Sequence, residues 1–366
     1  MKIALVAHSN APWTAHYARH FVAREHEVLL VSYYPEPLRG IPTVLLNGAA
    51  HADLPKHRYL ITLPALRRAL RDYNPAVVLA PYMLSNGLAA SFVWRGPLVV
   101  SARGTDVFGD DGTAVAAWFR KQLLRRICRK ASFVHTVSEE LTEFLLHLGA
   151  RQDRLFCFPV GVDVDRFHSA NGRPAISRSP TLICTRRHEE VYGNEVIVEA
   201  LALLHAGGIP AQLVFVSDGP LLEERRRQVD RRGLAPFVRF VPRVPHDEIP
   251  GLLHQADIYV SASLRDGTSS SLLEGLATGL VPVVSRIRAN LRWIRDGETG
   301  FFFEPRDAAG LARAVRQAVE QPDVAHRAWT ENPELVRTEG SLQANCDRLL
   351  GLLQAAAEGR VPSGTL

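Results

Sequence analysis

Short apolar runs alternate with helix-length amphipathic patterns along almost the whole chain, and this alternation constrains the fold more than any other feature. Because most of the runs are apolar at nearly every position, the strands that they predict should be buried on both faces. Buried strands that alternate with helices are typical of parallel sheets covered by helices on both sides. The predicted strands of the first half are Lys2–Ala7, Glu27–Ser32, Ala76–Ala80, Leu98–Ala102, Phe133–Thr136 and Leu155–Phe158.

The second half repeats this rhythm. Its predicted strands are Thr181–Thr185, Gln212–Val216, Val238–Phe240, Ile258–Ser261 and Val281–Ser285. The helical patterns of the whole chain predict helices at Ala15–Arg24, Leu60–Arg71, Ala114–Lys130, Glu195–Ala206, Pro220–Arg232, His246–Gln255, Ser270–Thr278 and Ala308–Gln321.

Two such blocks predict an α/β fold with two doubly wound, Rossmann-like domains, for which 366 residues are sufficient. Between them, residues 160–180 are rich in Gly, Pro, Ser and Asn and lack periodicity, as linkers do. We therefore expect a first domain over residues 1–168, a second over 169–335, and a C-terminal helical segment over 336–366 that packs back on the first. Ligands bind at the carboxyl ends of parallel strands, so we expect a site in a cleft between facing domains.

Several common functional classes lack their motifs. The turn after the first predicted strand contains no G-x-G-x-x-G and no Walker sequence, and the chain has no G-x-S-x-G. These absences disfavour nicotinamide dehydrogenases, P-loop NTPases and α/β-hydrolases. Four scattered cysteines, no membrane-length apolar segment and no signal-peptide pattern favour a cytoplasmic protein.

The net charge of +5 lies entirely in the first half of the chain. Residues 1–165 contain 19 basic and 14 acidic side chains, whereas residues 166–366 contain 24 of each. An anionic partner should therefore meet the first half, although this small excess gives no reason to expect nucleic acid as a partner.

The most informative stretch runs from Ser261 to Gly279. A buried strand ends there, and a loop of small residues leads into a short helix whose serines can cap it and leave backbone N–H groups for an anion such as a diphosphate. Asp266 precedes this helix and Glu274 lies one turn inside it, where carboxylates require partners. The alternative interpretation is an ordinary βαβ connection with a serine cap.

This stretch resembles the signature of the retaining glycosyltransferases of family 4, which have the two-domain GT-B fold. The signature has two acidic residues separated by seven positions, and Asp266 and Glu274 have that spacing. Four further segments resemble landmarks of the family in the expected order: Val137–Leu141, Phe158–Phe167, Val216–Leu221 and Val238–Val244.

The resemblance implies roles for individual residues. Glu274 would bind the ribose of a nucleotide, and Asp266, where the family usually has Glu, would hold hydroxyls of the transferred sugar. Val244 would contact the base, and Arg186 would neutralise the diphosphate. The sugar and diphosphate would also contact the backbone of Gly267, Thr268, Ser269, Ser270 and Ser271.

The chain departs from the family pattern beside Arg186. The family has Lys-Gly six residues later, whereas this chain has Tyr192 and Gly193. A leaving diphosphate needs compensating charge, which Arg187 would restore. The alternative is that Arg187 pairs at the surface with Glu189 or Glu190.

In the first domain, Arg103 and Asp106 lie in a turn that resembles the family's Gly-x-Asp turn near acceptor and transferred sugar. Asp106 is accordingly a candidate catalytic residue, with a purely turn-forming role as the alternative. The family's Gly-rich turn after the first strand is absent, which leaves Asn10 as the polar candidate for acceptor contact.

The predicted helix over Ala114–Lys130 carries six basic side chains beside an apolar stripe. Such a helix would suit contact with anionic lipid, at the membrane surface or in a lipid-diphosphate acceptor. The alternative is a solvated arginine face above a packed apolar stripe.

These features together predict a retaining transferase of the hexosyltransferase type. Its donor would be a nucleoside-diphosphate sugar, with a UDP-sugar favoured, and its acceptor a hydroxyl of a glycan, a lipid-linked molecule or a small molecule. We expect no metal and no further cofactor, since the stretch from Ser261 to Gly279 contains no Asp-x-Asp motif. The alternatives are a nucleotide-sugar epimerase of the same fold and a nucleotide-sugar-binding protein that has lost its chemistry.

Overall fold

A computed structural model describes residues 1–34, 36–46, 61–108, 113–169 and 176–362, apart from the side chains of Pro12 and Thr105. The chain forms two compact units, which are described separately. The first unit contains Met1–Val160 and Gln343–Leu366, and the second contains Gly161–Leu342.

The first unit is built on a seven-stranded parallel sheet with the order β3-β2-β1-β4-β5-β6-β7. Its central strand β1 pairs with β2 on one side and β4 on the other, so that Ala4 lies beside both Leu29 and Val78. The strands are β1 Lys2–Val6, β2 Glu27–Ser32, β3 Thr43–Leu45, β4 Val77–Pro81, β5 Leu98–Ala102, β6 Phe133–Thr136 and β7 Leu155–Cys157.

Six of these strands follow the sequence prediction to within one residue at each end, because their runs of buried apolar residues leave little ambiguity. No apolar run predicts β3. This strand is short, lies at the edge of the sheet and is only partly buried, so its sequence carries little strand signal.

Helices connect the strands of the first sheet, and two of them begin at clear side-chain caps. Thr113 Oγ1 accepts the N–H of Ala116, and Ser138 Oγ accepts the N–H of Leu141. The helices are α1 Pro12–Ala23, α2 Leu63–Tyr73, α3 Leu88–Val93, α4 Thr105–Phe108, α5 Ala114–Lys130 and α6 Glu139–His147, with a π-helical turn at Met83–Gly87. The start of the predicted helix Leu60–Arg71 lies outside the described residues.

The second unit contains a six-stranded parallel sheet with the order β10-β9-β8-β11-β12-β13. Alternate side chains of its strands enter different cores: Leu182 packs into one and its neighbour Ile183 into another. The strands are β8 Thr181–Cys184, β9 Gln212–Val216, β10 Val238–Val241, β11 Ile258–Ser261, β12 Val281–Ser285 and β13 Phe301–Phe303.

Helices also connect the strands of the second sheet, and a final helix returns to the first unit. The helices are α7 Asn194–Ala206, α8 Leu222–Arg231, α9 Ile249–Leu253, α10 Ser270–Ala277, α11 Arg288–Leu291, α12 Ala308–Glu320, α13 Pro322–Glu339 and α14 Leu342–Glu358. No helix in the described ranges is long and apolar enough to cross a bilayer.

The boundary between the units lies at Val160, earlier than the expected residue 168. Val162 ties the following segment to the second unit, because its N–H donates to Gly340 O at 2.8 Å and its carbonyl accepts from Leu342 N at 2.9 Å. Gly161 makes this approach feasible: a Cβ there would meet Gly340 O at 2.7 Å. For the same reason residues 336–342 belong to the second unit, and the C-terminal part of the first unit starts at Gln343.

Gly193, like Gly161, lies where two backbone segments of this unit approach closely. Its φ is +59°, and an added Cβ would lie 2.4 Å from Ala262 O at the end of β11. We expect Gly193→Ala to lower the free energy of unfolding of the second unit by about 2–5 kcal/mol, combining left-handed strain with steric overlap. Urea unfolding monitored by circular dichroism measures this change.

Gly208→Ala is the matched control, because Gly208 has a φ of +81° with nothing within 4 Å of an added Cβ. It should cost only the strain, about 1–2 kcal/mol. Equal losses in the two variants would show that Gly193 does not need to approach Ala262 closely.

Candidate active site

Three residues singled out in the sequence meet where β8 and β11 end in the second unit. Arg186 follows β8, whereas Asp266 and Ser269 lie between β11 and α10. The guanidinium of Arg186 donates from Nη2 to Asp266 Oδ2 at 2.6 Å and from Nη1 to Ser269 Oγ at 2.7 Å. One arginine thereby joins the ends of neighbouring strands at the carboxyl edge of the sheet, where ligands of such sheets bind.

This ion pair is largely removed from water, with 10% of the Arg186 side chain and 20% of the Asp266 side chain exposed. Burial raises the pKa of Asp266, and the nearby guanidinium opposes that rise. Burial is the largest single influence on Arg186 and acts to lower its pKa, but Asp266 together with Tyr259, Tyr192 and Cys184 outweighs it, so the pKa lies above its ordinary value. Arg186 therefore carries its positive charge into the site throughout the physiological pH range.

Tyr192 occupies the position at which the resembled family has lysine. Its ring lies 4.0 Å from Cζ of Arg186, the geometry of a cation–π contact. Burial raises the pKa of the Tyr192 phenol, so its ring remains neutral at physiological pH. Tyr192 thus packs against the Arg186 cation and adds no second positive charge at this position.

Arg187 points in another direction from Arg186. Its Nη1 lies 2.8 Å from Glu189 Oε1, and its Nε donates to Asp218 Oδ1 at 3.1 Å. With 56% of its side chain exposed, Arg187 forms the surface ion pair with Glu189 that the sequence left open as an alternative.

Helix α10 begins at Ser269, whose Oγ accepts the N–H of Leu272 at 3.3 Å. The first N–H groups of a helix have no partner inside it, so those of Ser270 and Ser271 could donate to an anion at the helix start. The serine hydroxyl that caps the helix also receives Arg186, which places a guanidinium beside the positive end of the helix dipole. Gly267 is buried, Thr268 and Ser271 are half-buried, and Ser270 is exposed.

Glu274 lies in the second turn of α10, and only 7% of the residue is exposed. His246 donates from Nε2 to Glu274 Oε1 at 2.8 Å, and the imidazole packs 5.2 Å from the Phe167 ring. This hydrogen bond is the main reason that the pKa of His246 is raised, while burial and Arg166 oppose the rise. Half-buried Val244 lies two residues before His246 on the loop after β10.

His246 is the residue of this site that the sequence did not indicate. It was expected at the start of a helix, but the helix begins at Ile249, and residues 242–245 form an irregular segment after β10. Its partner Glu274 is 28 residues away along the chain. No spacing rule links a loop histidine to a helical carboxylate at that distance, so only the tertiary structure brings them together.

The remaining candidates lie in the first unit. Asp106 Oδ1 accepts from the N–H groups of Arg103 and Gly104 at 2.9 and 3.0 Å, and its Oδ2 accepts from Met83 N at 2.6 Å. Burial raises the pKa of Asp106, although these backbone hydrogen bonds oppose the rise. One carboxylate oxygen therefore holds the turn, and the other ties it to the start of the π-helical turn.

The Arg103 side chain extends from this turn onto aromatic residues of α1. Its Nη2 donates to Tyr17 Oη at 2.8 Å, and its Cζ lies 5.0 Å from the Trp13 ring centroid. Asn10 is exposed in the turn after β1. The first unit thus presents an arginine and a tryptophan at the carboxyl ends of its strands.

No group of three or more His, Cys, Asp and Glu side chains with metal-binding geometry occurs within the parts of the chain that the structure describes.

Two protein-family models match the chain. Residues 11–161 match a glycosyl transferase 4-like domain, and residues 168–334 match glycosyl transferases group 1. These matches cover both units, and they give no support to the epimerase alternative.

Individual proteins are similar over most of the chain. A GDP-mannose-dependent alpha-(1-6)-phosphatidylinositol monomannoside mannosyltransferase from Mycolicibacterium smegmatis is 26% identical over 75% of this chain and 76% of its own length. Among solved structures, sucrose-phosphate synthase from Thermosynechococcus elongatus has a TM-score of 0.82 at 18% identity, covering 98% of this chain and 100% of that one. The Anabaena protein HepE, solved with UDP and glucose, has a TM-score of 0.77 at 16% identity, covering 97% and 100%.

The solved structures share the fold of two Rossmann-like domains, and the family models assign a glycosyltransferase domain to each half of the chain. The chain therefore belongs to the GT-B glycosyltransferases of group 1, with a family 4-like N-terminal domain.

Proposed function

We propose that this glycosyltransferase moves a hexosyl group from a nucleoside-diphosphate sugar to an acceptor hydroxyl with retention of anomeric configuration. The contact of Arg186 with both Asp266 and Ser269 is the observation that carries the proposal. It sets a guanidinium beside the N-terminus of α10, an arrangement suited to a diphosphate. A UDP-sugar remains the favoured donor, and GDP-mannose is the second to test because the mycobacterial relative is named for it.

In the proposed reaction, the bond between the anomeric carbon and the diphosphate oxygen breaks, and negative charge develops on the leaving diphosphate. Arg186 and the N–H groups of Ser270 and Ser271 stabilise that charge. The acceptor oxygen bonds to the anomeric carbon on the same face, and its proton passes to the leaving phosphate. This transfer balances without a protein general base.

The other residues of the second unit each bind a different part of the donor. Glu274 binds the ribose, the backbone at Val244 contacts the base, and Asp266 orients hydroxyls of the transferred sugar. The support for Glu274 is its burial beside His246, since a nearly enclosed carboxylate needs hydrogen-bond donors. The exposed ion pairs of Arg187 favour a role in shaping the loop.

The first unit is proposed to bind the acceptor, which is a glycan, a lipid-linked molecule or a small molecule. Arg103 and Asn10 contact it, and Asp106 acts as a positioning residue, because its oxygens hold the turn that carries Arg103. We also propose a peripheral location at an anionic membrane.

The proposed reaction requires no divalent metal, because Arg186 and the start of α10 supply the positive charge. Transfer is therefore expected to continue in EDTA. Loss of transfer in EDTA, with recovery on addition of magnesium or manganese, would refute this assignment of charge.

Substitutions of the two acidic residues, Glu274 and Asp266, should affect nucleotide binding and sugar transfer separately. Glu274→Gln removes the charge that accepts from the ribose, and a charged hydrogen bond contributes about 1.5–3 kcal/mol, so affinity for UDP or GDP should fall roughly 10–150-fold. Asp266→Asn should lower the transfer rate while leaving this affinity undiminished, because Arg186 stays positive and loses its competing anion. Calorimetry with the nucleotide and turnover with the full donor measure the two effects.

Glu223→Gln is the matched control, because its carboxylate is exposed on α8 outside the site. It should change neither measurement, and urea unfolding should show that all three variants are folded. Equal losses of nucleotide affinity in Glu274→Gln and Asp266→Asn would contradict the division of roles.

His246 is proposed as a positioning residue that orients Glu274. His246→Ala should weaken nucleotide affinity about two- to fivefold, as expected for loss of a partly exposed hydrogen bond of ~0.5–1 kcal/mol. His246→Gln should restore most of this affinity because it retains a donor. Exposed His254 on the neighbouring segment provides the control substitution, His254→Ala, with no expected change.

The hydrogen bond between His246 and Glu274 also predicts that the stability of the folded protein depends on pH. Because the folded protein raises the pKa of His246, the stabilisation is complete below the ordinary value of 6.5 and is lost as pH rises through the raised pKa. The difference in unfolding free energy between the native protein and His246→Gln should therefore be larger near about pH 6 than near about pH 9. A difference independent of pH would show that the imidazole charge contributes nothing.

A further inference from the structure

An apolar groove lies beside α5 in the first unit. Its volume is about 390 Å³, and its walls come from α2, the π-helical turn, α3 and α5. The lining is mostly apolar and includes Leu63, Leu84, Leu88, Phe92, Phe119 and Leu123.

The apolar surface continues from the groove onto the first turns of α5. Val115, Trp118 and Phe119 are 65%, 55% and 58% exposed, and Phe92 at the groove wall is 46% exposed. The rings of Trp118 and Phe119 pack edge to face with centroids 4.9 Å apart. A cluster of exposed aromatic side chains beside an apolar groove is typical of an interaction surface.

Basic side chains border this surface. α5 contains six Lys and Arg residues and no Asp or Glu. Lys121, Arg125, Arg129 and Lys130 are exposed, and the Arg126 guanidinium lies 4.4 Å from the Phe92 ring. The apolar cluster occupies the N-terminal half of the helix and most of the positive charge lies in the C-terminal half.

We propose that this surface docks on a membrane containing anionic lipids, with Val115, Trp118 and Phe119 entering the interfacial region and the basic side chains contacting lipid phosphates. Aromatic side chains favour the membrane interface, and exposed Lys and Arg favour anionic headgroups. This proposal names the surface for the membrane contact proposed above and rests on the proposed function. Vesicle binding itself, however, requires no sugar transfer.

The charge distribution argues against a second copy of this chain as the occupant. A two-fold interface would place the same patch on both sides, so two α5 helices carrying only basic charge would approach each other. An anionic bilayer offers negative headgroups to the basic side chains and an apolar environment to the groove.

Co-sedimentation with phosphatidylcholine vesicles, with and without phosphatidylglycerol, tests the proposal. The protein should sediment with the anionic vesicles only, and less so at high salt because screening weakens the attraction. The double variant Trp118→Ser/Phe119→Ser should lower the partition coefficient at least about tenfold, since two half-exposed aromatic side chains no longer enter the interface. The double variant Lys121→Gln/Arg129→Gln should lower it about fivefold for each charge removed.

Leu203→Ser/Leu291→Ser is the matched control, because both leucines are exposed in the second unit. It should bind vesicles as the native protein does. Equal binding to neutral and anionic vesicles, or unchanged binding by Trp118→Ser/Phe119→Ser, would overturn the proposal. The proposal would also be overturned if the native protein did not bind vesicles but formed a dimer, seen by analytical ultracentrifugation, that Trp118→Ser/Phe119→Ser dissociates.

The affinity for UDP or GDP separates this proposal from the proposed function. The Trp118→Ser/Phe119→Ser protein should keep the nucleotide affinity of the native protein while losing vesicle binding. If the native protein binds vesicles but neither nucleotide, the proposed donor chemistry fails and the docking surface stands.

Discussion

The contact of Arg186 with Asp266 and Ser269 is the interaction on which the candidate site depends. It crosses from the loop after β8 to the loop before α10 and fixes both at the carboxyl edge of the sheet. The Asn194 side chain supports the first loop by donating to Arg187 O at 3.1 Å, and Gly193 permits its close approach to β11. Removing one member of a buried ion pair leaves its partner uncompensated, so the charge balance of the site would change.

This arrangement accounts for how the site would accept a dianionic group without being strongly charged beforehand. The Asp266 carboxylate balances the Arg186 guanidinium, while the start of α10 adds partial positive charge from backbone N–H groups. Under the proposed function, a diphosphate would bring its own negative charge to that point, and Glu274, one turn further along, would accept from neutral hydroxyls. One short helix thus presents two different chemistries at its first and second turns.

The sequence predicted the long buried strands well, because continuous apolar runs fit few alternatives. The edge strands β3 and β13 were not predicted; β3 is only partly buried, so its sequence gives a weak strand signal. The acidic spacing and the cap at Ser269 were local and could be read directly. The cation–π contact of Tyr192 and the pairing of His246 with Glu274 could not be read, because they depend on how separate segments pack. Asp106 shows a related limit: its position was identified, but only the three backbone hydrogen bonds show that it holds a turn.

The most direct test of the central claim compares nucleoside diphosphates with the matching monophosphates by titration calorimetry. If Arg186 and the N-terminus of α10 hold the diphosphate, UDP or GDP should bind at least about tenfold more tightly than UMP or GMP, because the second phosphate gains charged hydrogen bonds worth ~1.5–3 kcal/mol each. Equal affinity for the diphosphate and the monophosphate would contradict this assignment.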